Sequence, residues 1–524
     1  MQKPFLYRFC HSAMWGIACG ITGLIFLLNF FFNATVTYDT WEKVTAVSSW
    51  QSGLLILLVG AVLLVAGVFI KNISAKISEK KLFWGLTVLF SIFAVYLMLN
   101  GTDPLHADQK TVFEAALDYI DGFYTEFEEG GYIYRYPHQL GLLLYNSIIA
   151  RFSPNFHANY IANFLCIIGI NYLYYKIANL LFANKSVNIM TILASFSFLP
   201  QFFYFMFVYG LTPGFFFMTL AFYHALRYDR EERFLNMIGM ILACAAAVLV
   251  RNNYMIGVIA IALFLMLKFF KKEGNLKNLL ALVAVVLCLI LPTRLVISGF
   301  EAKTETKLDN ASPTILWIAM GTDLDNNMRC PGWYDGTNWN IYTDSGYDAE
   351  LAAAEGRLKM RENLMKMKED PAKTGWFFLV KTISQWCEPL YQSLWYGGND
   401  NQQLWRYEPL IESLYGETWA SDIVSALSKF LTMVFWGFAL VFLILNRKKF
   451  CGWEMFLMFS MGGVLFHTFW EAKSQYVYPF VFVLIPFAMY ALWQVVQKLR
   501  ARKDQILEKR KALSEAPQAE PIAE

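Results

Sequence analysis

The stretch that decides the fold is residues 82–109, which read LFWGLTVLFSIFAVYLMLNGTDPLHADQ. Its first part, as far as Leu99, is apolar and long enough to cross a bilayer as a helix. The chain then turns acidic, because residues 100–138 hold eight Asp or Glu residues against two basic ones, Lys110 and Arg135. We therefore predict a transmembrane helix that is followed by an acidic loop outside the bilayer.

Composition places the rest of the chain in the same setting. Of the 524 residues, 57% are hydrophobic and 16% are charged, and the mean hydropathy is +0.39. A soluble core could not bury so much apolar surface, and repeated long apolar runs are typical of bilayer-spanning helices. The net charge of +3 is too small to indicate nucleic-acid binding. The predicted fold class is an all-α polytopic membrane protein.

Twelve apolar runs predict about twelve transmembrane helices. The runs are residues 13–33, 54–70, 82–99, 161–182, 189–207, 211–226, 235–250, 254–270, 279–291, 426–446, 453–470 and 477–496. A further run, 140–149, would be about 15 Å long as a helix, too short to span, so we expect a re-entrant or interfacial segment.

The basic residues between these runs predict the topology. They cluster at 71–81, 227–233, 268–277 and 447–449. Because such clusters stay in the cytoplasm, both termini are expected there, in a multi-pass protein of the plasma membrane. The acidic loop and a long polar section after residue 298 are then extracytoplasmic.

Four regions follow from this pattern. They are a transmembrane module 1–297 that includes the acidic outer loop 100–138, an extracytoplasmic region 298–425, C-terminal transmembrane helices 426–497, and a cytoplasmic tail 498–524 that is predicted to be disordered. Within the second region, residues 348–370 have the spacing of an amphipathic surface helix, with Leu351, Leu358 and Met365 on its apolar side.

Other residues of the outer region suggest local structure. Residues 376–395 predict an interfacial helix that is broken at Glu388 and Pro389. Cys330 and Cys387 could pair if this region faces an oxidising compartment. Both predictions concern the same outer face of the membrane.

Polar residues at helix ends gather on that outer face. They are Asp108, Tyr209, Arg251, the loop 321–335, Glu471, Lys473 and Tyr476. Ionisable groups at membrane depth are costly and usually functional. The structural alternative is that Asp108 is a solvated loop acid, that Arg251 and Lys473 extend to lipid headgroups, and that the tyrosines are interfacial aromatics.

Short motifs at these positions resemble those of GT-C fold glycosyltransferases. They are Asp108-Gln109 after an early span, YRYPHQLG at 134–141, RNN at 251–253, MG at 320–321 with GWYD at 332–335, and EAKSQY at 471–476. Their order and shared side carry the resemblance, which covers about residues 85–490. It is nearest to glycosyltransferase family 39, the bacterial relatives of protein O-mannosyltransferases and aminoarabinose transferases.

The resemblance implies a GT-C-like fold whose outer loops contain short interfacial helices. It also implies an inverting transfer of a sugar from a polyprenyl-phosphate donor to an acceptor hydroxyl on the outer face. The acceptor classes of such enzymes are proteins, lipids and cell-envelope glycans. The partners expected are therefore this donor, one such acceptor and the lipid bilayer, with no nucleic acid.

The resemblance also assigns roles to residues. An acid in the first large outer loop of such enzymes stands beside the acceptor and the anomeric carbon, which maps onto Asp108 as the general base. The leaving lipid phosphate needs a nearby cation, for which Arg251 and Lys473 are the candidates and Arg294 a weaker third. The other candidate residues for binding the donor are Tyr136, His138, Tyr209, Glu471 and Tyr476.

The acidic loop departs from the pattern of family members that carry two adjacent acids or a metal-binding DxD. Here Gln109 follows Asp108, although Asp103 is near enough in sequence to coordinate a divalent metal. Asp323 and Asp325 form a DxD triplet in the later outer loop, which we interpret as a polar turn. We assign no cofactor and no metal ligand.

Other classes of membrane protein also have about twelve spans. A polysaccharide polymerase or ligase would use the same polyprenyl carriers. A lipid-linked oligosaccharide flippase or transporter is expected to have inverted repeats and broken or charged helices near the membrane midplane. A scaffold without activity is a further alternative. The position of Asp108 directly after an early span favours the transferase.

Overall fold

The computed structural model describes residues 4–38, 42–69, 76–101, 105–326, 330–394, 408–416, 418–447 and 452–515. These residues are mostly helical. In chain order the elements are α1 (Phe5–Phe31), β1 (Phe32–Tyr38), β2 (Glu42–Ser48), α2 (Trp50–Phe69), α3 (Glu79–Asn100), α4 (Ala107–Asp121), α5 (Tyr132–Arg135), α6 (Leu140–Ala150), α7 (His157–Phe182), α8 (Lys185–Ser197), α9 (Leu199–Phe203), α10 (Leu211–Glu231), α11 (Phe234–Val250), α12 (Met255–Phe270), α13 (Leu276–Leu287), α14 (Leu291–Thr304), α15 (Ile315–Gly321), α16 (Thr337–Asp344), α17 (Ala349–Glu369), α18 (Pro371–Trp386), α19 (Pro409–Tyr415), α20 (Trp419–Asn446), α21 (Glu454–Phe469), α22 (Tyr478–Phe482) and α23 (Ile485–Glu515). Short 3₁₀ turns lie at Thr125–Phe127, Pro137–Gln139, Tyr204–Met206, Asn252–Tyr254 and Ser474–Tyr476.

Many of these helices are suited to a membrane. Seven of those described are long and apolar enough to cross one, or up to nine if each of two bent pairs forms a single span. The pairs are α8 with Leu199–Met206, bent by 56°, and α13 with α14, bent by 44°. The predicted twelve runs all fall on helices, but α11 and α21 are shorter and α10 contains His224 and Arg227. The prediction of a mostly helical chain with several helices suited to span a membrane is confirmed, and the count of twelve is not.

Four helices of the core, α10, α11, α12 and α21, run between the same two ends of the bundle. At one end, α10 begins at Leu211, α11 ends at Val250, α12 begins at Met255 and α21 ends at Phe469. At 1.5 Å per residue these helices are about 24–32 Å long, close to the thickness of a bilayer's hydrocarbon core. We call the end with Leu211 and Val250 the site end, because Asp108 lies there, and the other the far end.

A β-hairpin follows the first helix, where the sequence analysis saw only a polar connection. Strands β1 and β2 pair in antiparallel register, with Thr35 opposite Thr45. The segment is rich in Thr and Val, which favour strands, and the apolar run at 13–33 masked this signal. Lys429 of α20 donates through Nζ to the Phe32 carbonyl at 2.8 Å and so fixes the base of the hairpin.

The amphipathic helix predicted at 348–370 exists as α17. Leu351, Leu358 and Met365, which form its predicted apolar side, are 50–59% exposed and do not pack against the protein. The buried side holds Ala352, Gly356 and Asn363, because small residues let α17 approach α15 closely. The residues that look apolar in sequence therefore remain on the surface.

The end of α23 differs from the prediction, and the end of α18 agrees with it. Residues 498–515, expected to be disordered, continue α23 as a helix, because they consist largely of good helix formers. Helix α18 ends at Trp386, just before the predicted break at Glu388 and Pro389. Cys330 and Cys387, considered as a pair, are both free and buried.

Gly141 lets α6 pack directly against the backbone of α11. A Cβ built on this glycine would lie 2.0 Å from the Leu249 carbonyl oxygen. Gly141→Ala should therefore lower the free energy of unfolding by about 1–3 kcal/mol through overpacking. Thermal unfolding of the purified protein in detergent measures this change.

Gly85 of α3 provides the matched control, because a Cβ there meets nothing within 4 Å. Gly85→Ala should leave the protein equally stable or raise its stability by up to about 1 kcal/mol, since Ala favours helix over Gly. Unfolding of Gly141→Ala at or above the wild-type temperature would contradict the packing argument.

Candidate active site

Asp108 lies in the first turn of α4 and its side chain is exposed. The preceding residue, Ala107, has a φ of 51°. This left-handed conformation costs a residue with a Cβ about 1–2 kcal/mol, and such strain concentrates at functional sites. The strained turn presents the Asp108 carboxylate at the site end of the bundle.

Tyr209 connects Asp108 to the surrounding loops. Its hydroxyl donates to Asp108 Oδ2 at 3.3 Å. Gln139 Nε2 donates to the same hydroxyl oxygen at 2.9 Å, and the Tyr132 hydroxyl lies 2.6 Å away. Because the Tyr209 oxygen can accept from both neighbours, its own proton is directed at the carboxylate. Neither Tyr132 nor Gln139 was among the residues predicted.

Arg251 lies on the other side of Tyr209, directly after α11 ends. Its Nη1 donates to the Tyr209 carbonyl at 2.5 Å, and its Cζ lies 5.0 Å from the centre of the Tyr209 ring and 5.5 Å from that of Tyr476. Its Nε is buried without a hydrogen-bond partner in the described part of the chain. None of the ion pairs among the described residues includes Arg251. Among the described residues, Arg251 therefore forms no ion pair, and Tyr209 contacts both Arg251 and Asp108.

Lys473 has a different environment from Arg251. Its Nζ lies 3.2 Å from Glu42 Oε1 of β2, and the Glu42 side chain is 8% exposed. Gln392 Nε2 donates to the same Glu42 oxygen at 3.2 Å. The charge of Lys473 is therefore offset by a buried carboxylate, which the sequence analysis did not foresee because the hairpin was missed.

The predicted motifs at 332–335 and 471–476 meet in space. Trp333 and Ala472 form a parallel β-bridge, and the Ala472 N–H donates to the Gly332 carbonyl at 2.8 Å. Lys381, which is 1% exposed, donates to the carbonyls of Trp470, at 2.7 Å, and Gly321. This backbone clamp fixes the position of Glu471.

Tyr136 lies between the two acids of the site. Its pKa is raised to about 12, chiefly by burial; Arg135 lowers it, and the neighbouring Tyr334, Asp108 and Glu471 add to the rise. Burial also raises the pKa of Tyr476, with Glu471 adding to it and with Lys473 and Arg251 opposing. Asp108 and Glu471 therefore act on both phenols, and Arg251 and Lys473 act on Tyr476.

Aromatic rings extend the site beyond the predicted residues. Tyr136 contacts Trp317 at 5.7 Å between ring centres, and Trp317 lies parallel to Trp470 at 6.1 Å. On the other side, the Arg135 guanidinium lies 4.3 Å from the centre of the Trp339 ring. Partly exposed rings of this kind offer a flat apolar surface that suits the C–H face of a sugar. Trp317, Trp339 and Trp470 were not predicted, because a tryptophan in a membrane protein is usually an interfacial anchor.

His138 lies beside these aromatic rings, with its ring centre 6.0 Å from that of Tyr136. Burial, with a smaller contribution from Arg251, lowers its pKa from 6.5 to about 4. Between these pH values the unfolded chain binds more protons at His138 than the folded chain does, so folding stability falls as the pH drops through this window. We expect wild type to lose about 3 kcal/mol from this source between pH 7 and pH 4.

His138→Gln should remove most of that acid sensitivity. Thermal unfolding in detergent at pH 7.5 and pH 4.5, for both proteins, measures the difference. A variant that loses as much stability on acidification as wild type would show that His138 is not the group responsible.

The other acids and cations considered in the sequence have different surroundings. Asp323 forms an ion pair with Lys359 at 2.9 Å. Asp325 forms ion pairs with Lys366 at 2.7 Å and Lys373 at 2.8 Å. Both acids of the DxD triplet are therefore paired with lysines. Arg294 is exposed on α14. Asp103 lies outside the described residues. Among the residues described, none of the His, Cys, Asp and Glu side chains form a group of three or more that could hold a metal ion.

Gln109, where some members of the resembling family have a second acid, has a structural contact. It is 2% exposed, and its Oε1 accepts from the Val208 N–H at 3.0 Å. The bond connects α4 to the loop that carries Tyr209.

Comparison of the chain with protein-family models, with curated proteins and with solved structures finds no match.

Proposed function

We propose that the protein is an integral membrane glycosyltransferase of the GT-C type. It moves a sugar from a polyprenyl-phosphate donor to an acceptor hydroxyl on the extracytoplasmic face, with inversion at the anomeric carbon. The acceptor is a protein, a lipid or a cell-envelope glycan. The observation that carries the proposal is that one tyrosine, Tyr209, contacts both the Asp108 carboxylate and the guanidinium of Arg251, which forms no ion pair with any residue that the structure describes.

Asp108 supplies the base that such a reaction needs. A hydroxyl is a weak nucleophile, and a carboxylate within hydrogen-bond reach takes its proton as attack proceeds. Tyr209 donates to one carboxylate oxygen, which leaves the other for the acceptor. The C–O bond to the acceptor forms as the bond to the carrier phosphate breaks, and the acceptor proton goes to Asp108.

Arg251 supplies the charge that the leaving group needs. Negative charge grows on the carrier phosphate as the glycosidic bond breaks, and a fixed cation stabilises it. Arg251 has a buried Nε still to be satisfied, whereas Lys473 is already paired with Glu42. Glu471, Tyr136, Tyr476 and the tryptophans complete the pocket around the sugar.

The arrangement of helices supports a GT-C-like topology of about twelve spans. Helices α10, α11 and α21 run between the same two ends as α12, which is a candidate span. Added to the nine spans, they make twelve. The basic clusters then lie in the cytoplasm together with both termini, and Asp108 lies outside the plasma membrane.

The test is transfer by the full chain in proteoliposomes loaded with a labelled polyprenyl-phosphate sugar and a mixture of envelope acceptors. A transferase forms one new glycosidic bond and releases one polyprenyl phosphate for each donor consumed. A polymerase or ligase yields chains or moves preformed oligosaccharides, and a flippase changes the side of the donor without consuming it. Donor that is moved but not consumed would overturn the proposal.

A further inference from the structure

A polar cavity lies at the far end of the bundle, opposite Asp108. Its volume is about 320 Å³, at the small end of the range for ligand pockets. Its lining residues are Leu226, Asp229, Arg230, Phe264, Leu267, Lys268, Lys271 and Gly452. Three of them are apolar and four are charged, so the cavity suits a ligand with both kinds of surface.

Lys268 forms a fixed ion cluster in the lining. Its Nζ lies 3.2 Å from Asp229 Oδ1 and 3.5 Å from Glu232 Oε1, and its side chain is 9% exposed. These two acids offset its charge. The other cations of the lining are Arg230, which is exposed, and Lys271, which is half-buried with its Nζ 5.4 Å from the centre of the Tyr7 ring.

Tyr228 and Glu454 are buried and flank the lining in sequence. Tyr228 precedes Asp229, and the Lys268 Nζ lies 5.7 Å from the centre of its ring. Glu454 is two residues after Gly452 and fully buried, so it does not form part of the lining.

The location narrows the class of ligand. The cavity is formed where α10 and α12 end and α21 begins, about one hydrocarbon thickness from Asp108. It therefore lies at the depth of the phosphates of the opposite leaflet. Basic pockets between spans at that depth bind anionic lipid headgroups.

We propose that this cavity binds the phosphodiester headgroup of a membrane phospholipid. Arg230 and Lys271 contact the phosphate, and Leu226, Phe264 and Leu267 contact the start of the acyl chains. A headgroup that carries a hydroxyl donor, such as glycerol, matches the carboxylate of Asp229 in the lining. This site is separate from the proposed sugar-transfer site and does not depend on it.

The test is native mass spectrometry of the full chain, delipidated in detergent and titrated with phosphatidylglycerol. Wild type should retain one lipid molecule, and Arg230→Gln/Lys271→Gln should bind it at least about 10-fold more weakly, since each cation near a membrane surface adds about a factor of five. Lys277→Gln is the matched control: it removes an exposed charge at the same end but outside the cavity. It should bind as wild type does.

Each outcome bears on the proposal. Equal lipid retention by wild type and the double variant would overturn the site, and equal loss in Lys277→Gln would reduce it to general surface charge. Titration with inorganic phosphate distinguishes the source of the phosphate: thermal stabilisation by phosphate without lipid retention would overturn the lipid assignment in favour of a soluble anion. If the double variant does not fold, Arg230→Gln and Lys271→Gln are titrated singly, each with an expected loss of about fivefold.

Discussion

Asp108→Asn should reduce the rate of sugar transfer by about 10²–10⁴-fold, because an amide cannot take the acceptor's proton. The amide keeps the shape of the side chain, and its oxygen can still accept the Tyr209 hydroxyl that lies 3.3 Å from Asp108 Oδ2. Folding should therefore be unchanged. The measurement is the initial rate of transfer from a polyprenyl-phosphate sugar, with thermal unfolding as a check on integrity.

Glu114 provides the matched control for Asp108. It lies on the same helix, is exposed, and pairs with Lys110 at 3.7 Å. Glu114→Gln removes one carboxylate from α4 and should change the rate by less than about twofold, in keeping with the small effect of surface ion pairs. Undiminished transfer by Asp108→Asn would mean that the base is another group, and a similar loss in both variants would mean that the acidity of the loop, not one residue, is what matters.

Arg251→Gln should lower the rate of transfer by about 10²–10³-fold, the usual effect of removing a group that stabilises transition-state charge. Lys473→Gln should have a smaller effect, because Glu42 already offsets the charge of Lys473 at 3.2 Å. The structure thus ranks two cations that are equivalent in the sequence. Measuring kcat and KM for both variants tests the ranking.

Arg251→Lys serves as the conservative variant. It keeps the positive charge but replaces the planar fork, in which one nitrogen donates to the Tyr209 carbonyl while the others are free to face the donor, by a single nitrogen on a shorter side chain. We expect it to recover part of kcat, with its pH optimum unchanged. A larger loss in Lys473→Gln than in Arg251→Gln would reverse the assignment of the phosphate-binding cation.

The sequence predicts the helices better than it predicts the contacts between them. Apolar runs give the position of every candidate span among the described helices, because a bilayer requires about 20 apolar residues in a row. Helix ends give the sidedness of Asp108, Arg251 and Tyr476. The central position of Tyr209 depends on loops that are far apart in sequence, and no local pattern records that Gln139 and Tyr132 share its hydroxyl.

Two features that the sequence did not predict, the packed side of α17 and the hairpin, have the same physical origin. The faces of α17 were assigned by counting apolar residues, whereas Ala352, Gly356 and Asn363 pack there because they are small or can donate a hydrogen bond, as Asn363 does to the Ala319 carbonyl at 2.8 Å. The hairpin was missed because its strands adjoin a long apolar helix. In both cases tertiary packing decides between structures that local composition leaves open.

The hairpin limits how far the protein can be truncated at its N-terminus. A version that keeps only residues 85–490, the part with the recognisable motifs, would lack both Glu42 and the Phe32 carbonyl. Two amines, on Lys473 and Lys429, would then each lose an acceptor that they hold at 3.2 and 2.8 Å, and removing one member of a buried charged pair typically costs about 3–5 kcal/mol. A shortened recombinant form should therefore begin before Phe32, so that it keeps both acceptors.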